Sequence, residues 1–199
     1  MFGLFRRQEV WPIRTARLTL RPMRSVDILT VREWFKDRDM LRLAFGTRCD
    51  DSTLDRLGGE YCKEMDAGRN SALALEDTSG GMVGFVRFSV RSNNRGRIAR
   101  VGILIGDRRC WNQGFGTEAM EGLVYYLFDR RGIQIIELDT ADFNARARRC
   151  FEKVGFQLRT PTEGEEWYPT RAQGEPTRKI WMELVRAVWL RVRSQSALA

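Results

Sequence analysis

Histidine is absent from this chain. That excludes histidine-based triads, histidine zinc sites and a histidine general base together. Cysteine is sparse: Cys49, Cys62, Cys110 and Cys150 lack the close pairing of a metal site, so no metal is expected and the thiols read as reduced. Lysine occurs only as Lys36, Lys63, Lys153 and Lys179, so the net charge of +8 rests on arginine. The arginines form no long run and no nucleic-acid module is recognisable, which argues against direct nucleic-acid binding. A basic surface around an anionic ligand explains the charge equally well. No apolar run approaches the ~20 residues of a membrane span. The opening Met1-Phe2-Gly3-Leu4-Phe5-Arg6-Arg7 carries its charges on the wrong side for a signal peptide. The expected location is cytoplasmic, with no membrane partner.

With 43% hydrophobic and 30% charged residues in 199, the composition fits one globular domain spanning 1–199. Its core is expected over about 14–185, with 1–13 and 186–199 as terminal extensions. Ala16 to Arg21 alternates as a strand, ended by Pro22. Ser25 or Asp27 caps a helix to about Lys36, and a second helix runs from Ser52 to about Ala67, stopped by Gly68. Strands at 71–75, 82–90 and 98–105 follow, joined by turns at Gly80-Gly81 and Asn93-Asn94-Arg95-Gly96. A helix from Phe115 to Arg131, a strand from Gln134 to Thr140, a helix from Asn144 to Val154 and strands near 156–158 and 179–185 complete the order. The fold class is α/β: a mixed, mostly antiparallel sheet of about seven strands, flanked by about four helices. It should splay between the fourth and fifth strands (98–105 and 134–140), whose connection is a right-handed crossover.

The most informative stretch lies between these two strands. Val101-Gly102-Ile103-Leu104-Ile105-Gly106 reads as a buried strand, and Asp107-Arg108-Arg109-Cys110 as a polar turn. Trp111-Asn112-Gln113-Gly114-Phe115-Gly116-Thr117 is a glycine-spaced loop that runs into a helix. Such a loop presents unpaired N–H groups at the positive end of the helix dipole, an anion site suited to a pyrophosphate.

This pattern resembles the GNAT superfamily of N-acetyltransferases, and within it the ribosomal-protein alanine acetyltransferase-like branch. Thr15-Ala16-Arg17-Leu18-Thr19-Leu20-Arg21-Pro22 is similar to that branch's first strand. Ile103 to Asp107 followed by Trp111 to Ala119 resembles its cofactor signature, and Phe143 to Phe156 its second signature. The resemblance implies acetyl-CoA, or another acyl-CoA, as co-substrate and direct transfer to a primary amine. By position it implies backbone contacts from Ile103, Leu104 and Ile105 to the pantetheine arm. It places the diphosphate on Trp111, Asn112, Gln113, Gly114, Phe115, Gly116 and Thr117. Asn144 would contact the pantetheine arm or help order the thioester end, Phe151 would border the cofactor, and Arg109, with Arg108, could meet adenosine phosphates.

Three positions depart from the family pattern. Trp111 stands where the wider motif begins with Gln or Arg. Phe151 replaces the tyrosine that protonates the leaving thiolate, and a phenyl ring has no proton to give. Arg100 replaces a strand glutamate and cannot act as a base. Asp107 is then the first candidate base, although an Asp after Gly commonly caps a turn. Asn144 is the other candidate catalytic residue. Catalysis dominated by positioning, with solvent moving protons, is the expectation. The acceptor side is expected from Glu165, Glu166 and Trp167, where carboxylates beside an aromatic could hold an amine, with Asp50 and Asp51 as a second acidic pair. The acceptor itself stays open: a protein N-terminus, a polyamine, an aminoglycoside or an amino sugar. The lost Tyr and Glu also allow a non-catalytic acyl-CoA-binding module. Strand edges and the apolar Ala187-Val188-Trp189-Leu190 segment allow a homodimer.

Overall fold

Alternating hydrophobicity in the strands and three-to-four spacing in the helices put two apolar surfaces on one sheet. The computed structural model describes residues 12–46, 51–66, 71–168 and 177–196. Among these, the elements run β1 (Ile13–Arg14), β2 (Leu18–Pro22), α1 (Asp27–Trp34), α2 (Arg38–Phe45), α3 (Asp51–Asp66), β3 (Ser71–Asp77), β4 (Met82–Asn93) and β5 (Gly96–Ile105). They continue with α4 (Phe115–Tyr125), β6 (Ile135–Ala141), α5 (Ala145–Val154), β7 (Gln157–Leu158), β8 (Lys179–Val185) and α6 (Arg186–Ser196). The strands form one eight-stranded sheet in the order β1-β2-β3-β4-β5-β6-β8-β7. Every pairing is antiparallel except β5 with β6.

That parallel pairing is short. Ile98, Ala99 and Arg100 face Ile135, Ile136 and Glu137, and the register ends there. β5 continues to Ile105 against β4 alone. The expected splay is therefore present, and it opens on the side where β5 leads into the glycine loop.

One sheet face packs against α4. Met120, Leu123, Leu127 and Phe128 are fully buried there with Leu20, Val86, Ile136 and Met182. A π-helical turn, Tyr126–Arg130, extends α4 close to the expected end. The other face is covered over part of its width by α1 to α3, through Ile28, Val31, Phe35, Leu41 and Cys62 around Phe85. The hairpin turns are those expected. Asp77 accepts from the N–H of Ser79 and Gly81, and Asn93 from the N–H of Arg95.

Three readings need correction. The sheet gains β1, a two-residue edge strand. The helix expected to end near Lys36 is α1, but a further short helix follows it, because Asp37 caps a new one through the N–H of Asp39 and Met40, and Gly46 ends it at φ 62°. Neither Ser25 nor Asp27 caps α1. Asp27 lies inside its first turn and accepts from Arg21 and from the N–H of Arg24. The apolar segment expected beyond the core forms α6, where Trp189 packs on Phe128 at 5.2 Å and Tyr125 at 6.2 Å. It thus serves the chain's own packing. Cys49, Asp50 and Gly68 lie outside the described residues.

Candidate functional site

The splay opens into a cleft of about 740 Å³. Its floor is the exposed end of β5, with Ile103, Leu104 and Ile105 in the lining. The glycine loop closes one end. Asn112 at φ 61° and Gly114 at φ 84° bend the chain so that α4 begins directly behind the loop. Gly116 permits close approach of α4 and α5, since a Cβ there would stand 3.3 Å from Cys150 Sγ.

The loop is fastened from outside. Arg17 donates to Gln113 O at 3.0 Å and to Glu118 at 2.7 Å, and lies 4.3 Å over the Phe115 ring. Burial opposes the Glu118 charge. Hydrogen bonds from Thr15 and from the main chain and side chain of Arg17 nevertheless hold its carboxyl below the ordinary range. The Phe115 ring is held under Arg17 and the Gln113 side chain donates to Arg109 O, and neither residue is in the cleft lining. Trp111, Asn112, Gly114, Gly116 and Thr117 line it directly.

Trp111, the departure from the family pattern, has a clear physical role. Its indole Nε1 donates to Ile105 O at 2.7 Å, tying the end of β5 to the loop. Its ring is approached by two guanidinium groups, Arg146 at 3.5 Å and Arg108 at 4.8 Å. Burial, with the charge of Arg108, pushes the Arg146 pKa down. Such a cation gains from an anion beside it.

The cations facing the loop differ from those expected. Arg109 is 90% exposed and paired with Asp107 at 2.8 Å. Arg108 is engaged with Asp37 and Asp39. The cleft instead receives Arg146, Arg149 and Lys153 from α5. Their spacing of three and four follows one helical face, a signal that was present in the sequence.

Asp107 lies outside the cleft lining. It caps the short turn Arg108–Cys110 by accepting from Arg109 N at 2.9 Å, and its ion pair with Arg109 holds its carboxyl below the usual range. Asn144 is in the lining, but its Oδ1 accepts from Ala147 N at 3.2 Å and caps α5. Phe151 is also in the lining, largely buried and in edge contact with Phe156.

The acceptor residues expected from sequence are not brought into the cleft. Glu165 accepts from Arg159 and from Thr162 N, each near 3 Å. Against the penalty of burial, these bonds lower its pKa to about 2. Trp167 is half exposed, and Glu166 meets β8 through its carbonyl, which accepts from Lys179 N. These residues build the loop, and the loop delivers Tyr168. Its ring sits against Gly46, where an added Cβ would come within 2.5 Å.

Around Tyr168, side chains from neighbouring strands converge. Residues two apart on a strand share a face. The register places Arg87 of β4 opposite Gly102 of β5, two residues from Arg100, and Asp139 of β6 opposite Trp181 of β8, two residues from Lys179. Asp139 accepts from Arg100 at 2.5 Å and is hydrogen-bonded to the Tyr168 phenol. Burial, and then the Asp139 charge, raise the Tyr168 pKa, so the phenol keeps its proton. Asp139 is the only carboxylate in the lining among the described residues. An alternating strand gives no hint of this role, because the partners come from four separate segments. No group of three or more His, Cys, Asp or Glu side chains is arranged to hold a metal among the described residues, and no helix there is long and apolar enough to cross a membrane.

Comparison with known proteins agrees with this geometry. The acetyltransferase (GNAT) domain matches residues 17–157. A spermidine N-acetyltransferase from Vibrio cholerae, solved with CoA and spermine, superposes with a TM-score of 0.67 at 20% identity, covering 88% of this chain and 99% of that one. An aminoglycoside acetyltransferase solved with coenzyme A gives 0.66 at 20% identity, with the same 88% and 99% coverage. A GNAT-family acetyltransferase from Bacillus anthracis gives 0.66 at 15% identity, again covering 88% and 99%. The chain belongs to the GNAT acetyltransferase family.

Proposed function

We propose that this chain is an acetyl-CoA-dependent N-acetyltransferase that acts on a primary amine, the donor lying along β5 and the amine beside Asp139. The observation that carries this reading is the splay. It leaves the end of β5 open to a ligand, between a glycine loop with three cations at one end and a lone carboxylate at the other. The donor site fits its ligand. Gly114 and Gly116 let main chain come close, and neither Arg146, Arg149 nor Lys153 has a carboxylate partner among the described residues. Acetyl-CoA would supply the acyl group as an activated thioester.

The protein's own residues divide the remaining work. The loop from Trp111 to Thr117, with Arg146, Arg149 and Lys153, binds the phosphates. The β5 main chain orients the extended arm, and Asn144, by capping α5, fixes the wall beside it. Asp139 holds the amine and takes its proton. An alkyl ammonium has a pKa near ~10.4, far above a carboxylate. Two effects ease deprotonation of the amine. Arg87, Arg100 and Lys179 place positive charge nearby, which favours the neutral amine. A nitrogen that has begun to bond to a carbonyl carbon also becomes a much stronger acid. Asp107, which caps the turn and lies outside the cleft lining, serves the turn rather than the proton. Tyr168 remains a hydrogen-bond donor that fixes the Asp139 carboxylate.

Calorimetry with coenzyme A and acetyl-CoA, followed by thiol release over an amine panel, tests this reading. Heat with both and thiol release with at least one amine are expected. No heat with either would refute the donor site. Binding without turnover on any amine would favour a non-catalytic acyl-CoA-binding module.

A further inference from the structure

The sheet face that forms the acceptor half carries a ladder of charges. Along β4, Arg91 pairs with Glu137 at 3.0 Å, and the hairpin-turn Arg95 pairs with Glu183 at 3.0 Å. Inside the cleft this matching stops. Arg87 lies 4.7 Å over the Tyr61 ring, and Lys179 lies 5.1 Å over Tyr168 and 5.6 Å over Trp181. Neither has a carboxylate partner among the described residues. The one carboxylate, Asp139, is already bonded to Arg100. Among the described lining residues of this half-cleft, three cations therefore face one anion, beside an apolar wall from Phe35, Phe45 and Phe85.

A polycation would meet net repulsion here, and a lone neutral amine would leave two guanidinium or ammonium groups unmatched. We infer that the acceptor is an amine which itself carries an oxyanion, a carboxylate or a phosphate, bound by Arg87 and Lys179 while its nitrogen lies at Asp139. This rests on the transfer reading above and narrows its acceptor class. Positive surroundings lower the acceptor's ammonium pKa. The same cations that select the anion thereby favour the reactive, neutral amine.

Matched acceptors differing only in the anion provide the test: phenylalanine against phenylalaninamide, glucosamine 6-phosphate against glucosamine, and spermine as the polycation. In at least one pair the anionic member should exceed its neutral partner in kcat/KM by about tenfold or more, the range of one charge-assisted hydrogen bond. The pair that responds tells carboxylate from phosphate, and spermine should be the poorest acceptor. Arg87→Gln and Lys179→Gln should each reduce the anionic-to-neutral ratio severalfold, with coenzyme A affinity unchanged as the check on folding. Spermine or the neutral partners performing equally well, or ratios unchanged in both variants, would overturn the inference. Failure of every amine to turn over while coenzyme A binds would refute transfer instead. The anion preference would then be read by calorimetry on the coenzyme A complex, where equal binding or no binding within each pair overturns it.

Discussion

Trp111 offers a two-step dissection of the donor site. Trp111→Phe keeps an aromatic ring between Arg108 and Arg146 but removes the Nε1 donor, so Ile105 O loses its 2.7 Å partner. A hydrogen bond of this kind is worth about 1 kcal/mol net, or roughly fivefold in a binding constant. Trp111→Leu removes that bond and both cation–π contacts, at roughly 0.5 to 1 kcal/mol each. The total is about 2 to 3 kcal/mol, or roughly 30- to 140-fold. Titration of each variant with coenzyme A by calorimetry should therefore give a graded series. The maximal rate at saturating donor should fall much less, because Trp111 lies at the far end of the cleft from Asp139. Equal losses in the two variants would show that the indole N–H carries the whole effect and that the stacked guanidinium groups contribute nothing. No loss in either would refute the assignment of the loop to the donor.

Asp139→Asn should lower kcat by about 10²- to 10³-fold, the range for removing a proton acceptor, with coenzyme A affinity retained; steady-state kinetics beside calorimetry checks both. Glu165, with its pKa lowered to about 2, contributes stability that is complete above its ordinary value and lost as pH falls through about 2. The carboxylate is 30% exposed, so solvent reduces the contribution to about 1 to 2 kcal/mol. Urea unfolding of Glu165→Gln should show that deficit at pH 7 and none near pH 2. Gly106→Ala would drive a Cβ to within 2.0 Å of the Trp34 ring, and thermal unfolding should report a loss of about 1 to 3 kcal/mol.

Legibility in the sequence followed the range of the interactions. The β5 strand, the loop and α4 are continuous, so periodicity and glycine spacing point to the splay and to the glycine-loop end of the cleft. Arg109 and Arg108 adjoin the loop in sequence, yet pair with Asp107, Asp37 and Asp39. Arg146, Arg149 and Lys153 reach the cleft through the packing of α5 on α4. The acidic run at Glu163, Glu165 and Glu166 read as an amine site, but Arg159, only six residues before Glu165, already satisfies it. Asp139 and Tyr168 are distant in sequence, and only the sheet order brings them together. The short α2 carries its own local signals, Asp37 before it and Gly46 after it.

The early end of the β5–β6 register has a thermodynamic corollary. Main-chain groups along 101–105 that would have joined β6 have no partner in that strand, and the Ile105 carbonyl is held by Trp111 instead. An elongated amide-bearing molecule laid there acts as a surrogate strand and stitches the two halves of the sheet together. Amide hydrogen exchange across 101–105 and 138–141 should slow in step with occupancy. Heat resistance of the whole domain should then rise with ligand concentration, as the logarithm of saturation requires.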